Sequence, residues 1–287
     1  MLLIGLIIAL IVLIIGSITD IQKREVLDYL SYGLIFVAFA VSGVYSVIAK
    51  EYYSIISTGF GFIIGLSIGF AMFYLGQWGG GDSKLIMGLG AIIGFNPFKA
   101  LGEINLWLIF LLITILFVGG IYGLVWSSVL AIKNRKVFNK YFVKLYKQVQ
   151  TARIIVNILV IIGCIITVWI IPSELKLFVI IILTAFFLIF YIWIFVRVIE
   201  KSCMIKTISI AKLTEGDWIN KEIFIGKRYI AGPKDLGISK EQILLLKKHK
   251  IPTVQVKEGI PFIPAFLIAY IAILILYFIG AASYLGH

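Results

Sequence analysis

The chain has 287 residues, of which 61% are hydrophobic and 14% are charged, and its mean hydropathy is +1.09. A soluble domain could not bury so much apolar surface, so the composition excludes a soluble globular protein and favours a polytopic membrane protein. The two cysteines and two histidines lack metal-ligand spacing, so neither a disulfide framework nor a metal or other cofactor is predicted.

Long apolar runs without period-2 alternation predict membrane helices rather than a β-barrel. Eight candidate spans follow in chain order, at about 2–18, 29–49, 55–76, 83–95, 104–132, 154–171, 177–199 and 262–284. The fourth is short for a hydrocarbon core of about 30 Å, so we expect it to be tilted, sunk below the membrane surface or partly re-entrant. The first lacks a basic n-region and a cleavage site, so we expect a structural helix rather than a removed signal peptide.

The formal net charge of +12 is distributed unevenly around these spans. If the connections alternate sides, 23 of the 26 Lys and Arg residues fall on one side, and the other side receives only Lys50, Lys99 and Lys176. This bias matches the positive-inside rule, so it predicts cytoplasmic basic connections and outward-facing termini. We interpret the charge as a topology signal and a contact with anionic lipid, not as a nucleic-acid-binding surface.

The third span carries small residues at four-residue spacing, at Gly61, Gly65 and Gly69. Such spacing predicts close packing against another helix. The segment 65–69 also fits the G-x-S-x-G pattern of hydrolases, but it lies in mid-helix and not on a strand-to-helix turn, so packing is the better interpretation.

Residues 133–153 are rich in lysine and carry apolar residues at helical spacing. One face would hold Val137, Tyr141, Leu145 and Val149. The pattern predicts an amphipathic helix on the inner leaflet, with a solvated basic linker as the alternative.

Residues 200–260 form the only stretch long enough for a soluble unit. Alternation in Ile205–Ala211 and Thr253–Val256 predicts strands, and Ser239 with Gln242 has the capping-box spacing that begins a short helix. The predicted fold is therefore an all-α polytopic membrane protein of about eight transmembrane helices with a small cytoplasmic α+β unit.

Five regions are predicted on this basis. They are a catalytic membrane domain at 1–132, a basic interfacial segment at 133–153, additional transmembrane helices at 154–199, the cytoplasmic unit at 200–260 and a C-terminal transmembrane helix at 261–287.

Two acids lie at the predicted cytoplasmic boundary. Asp20 sits just past the end of span one, and Asp82 follows Gly79, Gly80 and Gly81 at the start of span four. An acid at a membrane boundary is costly unless it has a function. If helices one and four are neighbours, the two carboxylates could share a proton and activate a water for attack on a peptide carbonyl. The glycines would let a substrate chain approach closely.

Neither acid has to be catalytic. Asp82 could simply cap a helix, and Asp20 could be an ordinary interfacial acid. A proton- or cation-coupled transporter could use the same carboxylates, although it would favour acids near the bilayer midplane and matching repeats. The third alternative is a non-catalytic membrane scaffold of a pilus or secretion assembly.

Three short runs resemble a known family. Gly79–Asp82, followed by Ser83 and Lys84, resembles the GxGD signature of membrane aspartyl peptidases, and the nearest subgroup is the archaeal type IV prepilin and preflagellin peptidases. Ser17–Asp20 resembles the first catalytic aspartate region of that family, and Gly259–Pro264 resembles the C-terminal region of its archaeal members.

The resemblance implies that Asp20 and Asp82 form the catalytic dyad of an aspartic endopeptidase. It also implies a substrate with a short basic leader followed by a hydrophobic helix, either a prepilin-like or a preflagellin (archaellin) precursor, cut at the inner membrane face. Because Asp82 lies near a helix N-terminus and Asp20 near a C-terminus, we expect Asp82 to ionise first and Asp20 to hold the proton. This assignment requires span one to end before Asp20.

Three further residues are candidates for substrate binding. Glu25 and Asp28 are hypothesised to attract the basic residues of the leader, and the alternative is that they pair with Lys23 and Arg24. Lys84 either tunes the dyad or a substrate carbonyl, or serves as an interfacial anchor.

Overall fold

A computed structural model describes residues 2–98 and 106–285 of the chain. Lys99 and the start of the predicted fifth span at 104 lie outside the described residues, as does the end of the chain at 286–287. The chain divides into two compact units, one formed by Met1–Gly123 with Gly259–His287 and the other by Leu124–Glu258.

Helices dominate both units. The α-helices are α1 (Leu2–Lys23), α2 (Asp28–Ala49), α3 (Tyr53–Tyr74), α4 (Gly80–Ile93), α5 (Trp107–Lys133), α6 (Arg135–Gln148), α7 (Gln150–Trp169), α8 (Ser173–Ser202), α9 (Lys240–Lys248) and α10 (Ile263–Leu285). The strands are β1 (Ile205–Ser209), β2 (Trp218–Ile219), β3 (Ile223–Ile225), β4 (Arg228–Ala231) and β5 (Thr253–Lys257).

Each of the eight predicted spans corresponds to a helix, and the predicted fold class, a polytopic helical membrane protein with a small α+β unit, is confirmed. Six of the described helices, α1, α2, α3, α5, α7 and α8, are long and apolar enough to cross a membrane, and α10 contributes the shorter apolar segment Ile263–Ile279. With 14 residues, α4 is about 21 Å long and falls short of a hydrocarbon core of about 30 Å.

In the first unit, α1 and α4 pack as antiparallel neighbours. Gly5, near the start of α1, faces Ile92, near the end of α4, and a Cβ at Gly5 would lie 3.3 Å from the Ile92 side chain. From that contact, Asp20 is about 22 Å along α1 and Asp82 is about 15 Å back along α4. Both acids therefore lie toward the same end of the helix pair.

The predicted glycine packing face is confirmed between α3 and α4. A Cβ at Gly65 would lie 2.6 Å from the carbonyl oxygen of Ile86, and one at Gly69 would lie 2.7 Å from that of Ser83. Gly61 meets the backbone of Gly90 in the same way. The two backbones touch because no side chain separates them.

In the second unit, α6 is a helix, as its apolar spacing predicted, and a different face of it, formed by aromatic residues, packs on the protein. Phe138 of α6 packs against Phe195 of α8 with ring centroids 5.8 Å apart. Val137 and Tyr141, two members of the predicted face, are 46% and 39% exposed. The aromatic side chains occupy the protein contact, because they cover more apolar area than valine.

The small α+β unit has the elements that its sequence predicted. Strands β1 and β5 pair antiparallel, with β2 on the other edge of β5, and β3 and β4 form a separate hairpin. The capping box that begins α9 is present, since Ser239 Oγ accepts the N–H of Gln242 and Ser239 N–H donates to Gln242 Oε1. An ion pair of 2.6 Å between Lys257 and Glu200 ties β5 to the end of α8.

Candidate active site

Asp20 lies in the last turn of α1, not beyond the end of the helix as expected from sequence. Its side chain is buried, with 6% of its surface exposed. Asp20 Oδ2 accepts the backbone N–H of Ile263, the first residue of α10, at 3.0 Å. The first N–H groups of a helix have no partner within the helix, so the start of α10 provides a donor for this carboxylate.

Asp82 occupies the third position of α4, so it is not the N-cap residue that simple capping would require. Gly79 is the N-cap, and its N–H donates to Asp82 Oδ2 at 3.0 Å. This is the reciprocal half of a capping box, in which the acid reaches back to the helix start. This hydrogen bond fixes one carboxylate oxygen, Oδ2, and the other oxygen takes no part in it.

Burial raises the pKa of Asp82 to about 7, and the negative charge of Asp20 contributes to the same shift. The hydrogen bond from Gly79 acts in the opposite direction but does not offset these effects. The electrostatic influence of Asp20 is consistent with the antiparallel packing of α1 and α4. The dyad predicted from sequence required helices one and four to be neighbours, and α1 and α4 are neighbours.

The expectation that Asp82 ionises first loses its premise. Helix α1 continues through Asp20, so the premise about its end does not hold. Burial also favours the protonated form of Asp82 and raises its pKa.

The glycine run before Asp82 allows a close approach by the segment between α1 and α2. A Cβ at Gly81 would lie 2.6 Å from the Cβ of Val26, closer than real side chains approach. At Gly80 the nearest atom, in the ring of Phe73, would be 3.9 Å away. Of these two glycines, Gly81 is therefore the one at which a side chain would collide with a neighbour, Val26.

Lys84 and Asp28 are brought together by α2 and α4. Lys84 Nζ lies 2.6 Å from Asp28 Oδ1 and 5.3 Å from the centre of the Tyr32 ring. From sequence, Asp28 was expected either to attract the substrate leader or to pair with Lys23 and Arg24. Its pair with Lys84 was not predicted. Glu25 is exposed, and no ion pair or hydrogen bond of its side chain is found among the described residues.

Sequence reasoning missed the contribution of α10. Its first residue binds Asp20, and Phe262 and Phe266 pack against the buried ring of Trp78 at centroid distances of 6.0 and 5.2 Å. Arg24, which follows α1 with a φ of 60°, donates to the carbonyl oxygen of Gly259 at 3.0 Å. The segment Gly259–Pro264 was singled out from the sequence, but its contact with Asp20, 243 residues away from Ile263, was not predicted.

The chemistry available at this end of α1 and α4 is that of two carboxyl groups, each of which accepts a backbone N–H. Within residues 2–98 and 106–285, no cluster of three or more His, Cys, Asp or Glu side chains is placed to hold a metal ion.

Residues 7–124 match the model of the Type IV leader peptidase family. This segment contains α2, α3 and α4 with most of α1 and α5, and with them both acids. The predicted family resemblance is confirmed. Helix α10, which supplies the donor to Asp20, lies outside the matched segment.

Curated relatives match over about a third of the chain. The preflagellin peptidase of Methanocaldococcus jannaschii is 42% identical over 90 residues, which are 31% of this chain and 38% of that protein. The preflagellin peptidase of Methanococcus voltae is 38% identical over 98 residues, which are 34% of this chain and 42% of that protein. The matched region thus spans less than half of each relative. No solved structure matches the chain significantly.

Proposed function

We propose that this protein is a membrane aspartyl endopeptidase with Asp20 and Asp82 as its catalytic dyad. The observation that carries the proposal is that α1 and α4 pack antiparallel, which brings the two acids to one end of the pair, where the charge of Asp20 acts on Asp82. Two carboxyl groups that share one proton can supply both the base and the acid that peptide hydrolysis needs.

In the proposed mechanism, the Asp20 carboxylate removes a proton from a water molecule, and the water oxygen attacks the carbonyl carbon of the scissile peptide bond. Asp82 donates its proton to the carbonyl oxygen as the tetrahedral intermediate forms. The C–N bond then breaks and the proton taken up by Asp20 passes to the leaving amine. As the new carboxyl group forms, a hydroxyl proton of the intermediate returns to Asp82. The Ile263 N–H orients Asp20, and the Gly79 N–H orients Asp82. Gly81, which has no side chain, lets Val26 pack against the start of α4 beside Asp82.

The proposed substrate is a preflagellin or prepilin-like precursor with a short basic leader before a hydrophobic helix. The names of the matching relatives support this class. Glu25 is exposed, and Asp28 is 63% exposed although it pairs with Lys84, so both carboxylates can meet a basic leader. Lys84 would then serve as the resting partner of Asp28.

We further propose that cleavage takes place at the cytoplasmic membrane face. The distribution of Lys and Arg supports this orientation, because 23 of 26 fall on the side that carries both acids. The basic side would also face anionic lipid.

Cleavage of a preflagellin precursor by the purified full-length protein in detergent tests the function directly. We expect a size shift on a gel, with the cut placed by mass spectrometry at the end of the basic leader. Asp20→Asn and Asp82→Asn should each reduce the rate by about 10²–10⁴-fold, the usual contribution of a general acid or base. The matched control is Glu222→Gln, an exposed acid of the α+β unit, which should cleave normally. Full activity in either aspartate variant would reject the dyad.

Leader recognition needs a separate comparison. With a precursor that has a basic leader, Glu25→Gln should lower kcat/KM about two- to fivefold, as expected for an exposed charge pair. With a precursor whose leader lysines are replaced by glutamine, wild type and Glu25→Gln should cleave equally. Equal loss on both precursors would show that Glu25 acts on the fold and not on the leader.

A further inference from the structure

Helix α6 is tied to the membrane at both ends. One residue, Asn134, separates it from α5, and one residue, Val149, separates it from α7. Both α5 and α7 are long and apolar enough to cross a membrane. The 14 residues of α6 extend about 21 Å, so neither end of this helix can move far from the membrane boundary.

The rotation of α6 about its axis is fixed by an aromatic face. Phe138 packs on Phe195 of α8, Phe138 stacks on Phe142, and Phe142 stacks on Tyr146. The guanidinium of Arg153 at the start of α7 covers the Tyr146 ring at 3.1 Å. These contacts determine which side of α6 points away from the rest of the second unit.

The side of α6 opposite the aromatic face carries a row of four lysines, which we name the α6 lysine stripe. Its members are Lys136, Lys140, Lys144 and Lys147. At 100° per residue they fall within an arc of about 80°. All four are exposed, and α6 itself contains no acid.

The charge of the stripe is not neutralised by the described part of the chain, in which none of the four lysines forms an ion pair. Lys136 and Lys140, and again Lys140 and Lys144, are four residues apart, so like charges face each other along the helix. Such pairs destabilise a helix unless counter-charges approach. An anionic surface at the membrane boundary would relieve this repulsion.

Exposed apolar side chains border the stripe. Val137 is 46% exposed and Tyr141 is 39% exposed, and both lie beside the lysines in the direction of the packed face. Lysines next to apolar residues and a tyrosine on a helix at the boundary are typical of contact with the headgroup layer, where the lysine stems cover apolar surface and the amines reach phosphate.

We propose that the α6 lysine stripe is a binding site for the headgroups of anionic phospholipids. This site is separate from the proposed peptidase site, since it lies in the second unit and uses none of the acids. Lipid is the occupant that the connections favour, because both ends of the helix lie one residue from membrane-crossing helices.

Lipid titration of the full-length protein followed by native mass spectrometry tests this site. Wild type should retain phosphatidylglycerol in preference to phosphatidylcholine. The variant with Lys136→Gln, Lys140→Gln, Lys144→Gln and Lys147→Gln should lose this preference by about tenfold or more, given the attraction of each lysine to an anionic surface. The corresponding Lys→Arg variant should keep it, and far-ultraviolet circular dichroism should show the same helix content in all three.

A matched control removes the same charge elsewhere. It replaces four exposed lysines of the α+β unit, Lys212, Lys221, Lys227 and Lys234, by glutamine. The control should retain the preference for phosphatidylglycerol. An equal loss in the control, or the absence of any preference in wild type, would overturn the proposal. Binding of a polyglutamate peptide without binding of phosphatidylglycerol would also overturn it, in favour of an acidic protein partner.

Discussion

The carboxylate of Asp20 accepts a hydrogen bond from the backbone N–H of Ile263, at 3.0 Å and across 243 positions of sequence. The acid is at the end of α1 and the donor is at the start of α10. A side-chain acid is thus oriented by a main-chain group, so the contact depends on where α10 begins and not on the identity of its first side chain. Ile263 is also buried, and its side chain packs against Gly16.

Replacing Ile263 by proline removes the donor while keeping a backbone angle suited to the first position of a helix. We expect Ile263→Pro to lower kcat by about 10- to 100-fold, since a hydrogen bond to a charged group contributes about 1.5–3 kcal/mol. The control is Ile263→Ala, which loses at least as much side-chain volume but keeps the N–H. Ile263→Ala should therefore act mainly on thermal stability and change kcat little. Equal losses of kcat in the two variants would mean that the side chain matters and the donor does not.

The raised pKa of Asp82 predicts a pH profile. Because this pKa is about 7, Asp82 holds its proton below that pH and loses it above. We therefore expect kcat/KM to fall as pH rises through about 7, when the general acid is lost and two negative carboxylates repel each other.

Infrared difference spectra would assign that proton. At about pH 6, one unit below the pKa of Asp82, a protonated carbonyl stretch should be present in wild type and absent in Asp82→Asn. Asp20→Asn should keep the band, since burial of Asp82 remains. A band that disappears in Asp20→Asn and persists in Asp82→Asn would reverse the roles of the two acids.

Gly81 and Gly80 offer a steric comparison beside the proposed site. Gly81→Ala places a Cβ 2.6 Å from that of Val26, whereas Gly80→Ala places one 3.9 Å from its nearest neighbour. We expect Gly81→Ala to lower the rate of cleavage about tenfold or more, since small displacements of a reacting group are costly. Gly80→Ala should be close to wild type. Adding Val26→Ala to Gly81→Ala should restore part of the activity, and a failure to do so would argue against this contact.

The contact between α3 and α4 predicts opposite effects of alanine at two glycines of one helix. Gly65→Ala should destabilise the protein by about 1–3 kcal/mol, because the new methyl meets the carbonyl of Ile86, which belongs to a rigid backbone. Gly59 has open space around its Cβ position, so Gly59→Ala should be neutral or stabilising by about 0.5–1 kcal/mol. Thermal unfolding in detergent measures both, and similar shifts in the two variants would contradict the packing.

The helices of this protein could be predicted because lipid leaves few alternatives for an apolar chain. The sequence also predicted the glycine face of α3, since the spacing of Gly61, Gly65 and Gly69 indicates close packing whichever helix is the partner. Helix ends were harder to predict. Span one was expected to end at about residue 18, but α1 continues to Lys23, because polar residues at its end remain good helix positions when a partner helix satisfies them.

The partners of the acids could not be predicted for a different reason. The position of Asp20 was visible in a local pattern, whereas its donor belongs to Ile263 and requires the packing of α10 on α1. The pair formed by Lys84 and Asp28 also joins residues 56 positions apart, and no local rule selects it over the nearer Lys23 or Arg24. The premise of the expected ionisation order also failed, since α1 continues through Asp20.

The dependence of Asp20 on the last helix also bears on how the molecule is made. A ribosome synthesises α1 long before residue 263, so Asp20 is made well before the residue that supplies its donor. Until α10 inserts, Asp20 has no Ile263 amide to bind. A chain that has been synthesised only as far as α5 would thus hold both proposed catalytic acids without the group that orients Asp20, which would delay the proposed proteolysis until α10 is in place.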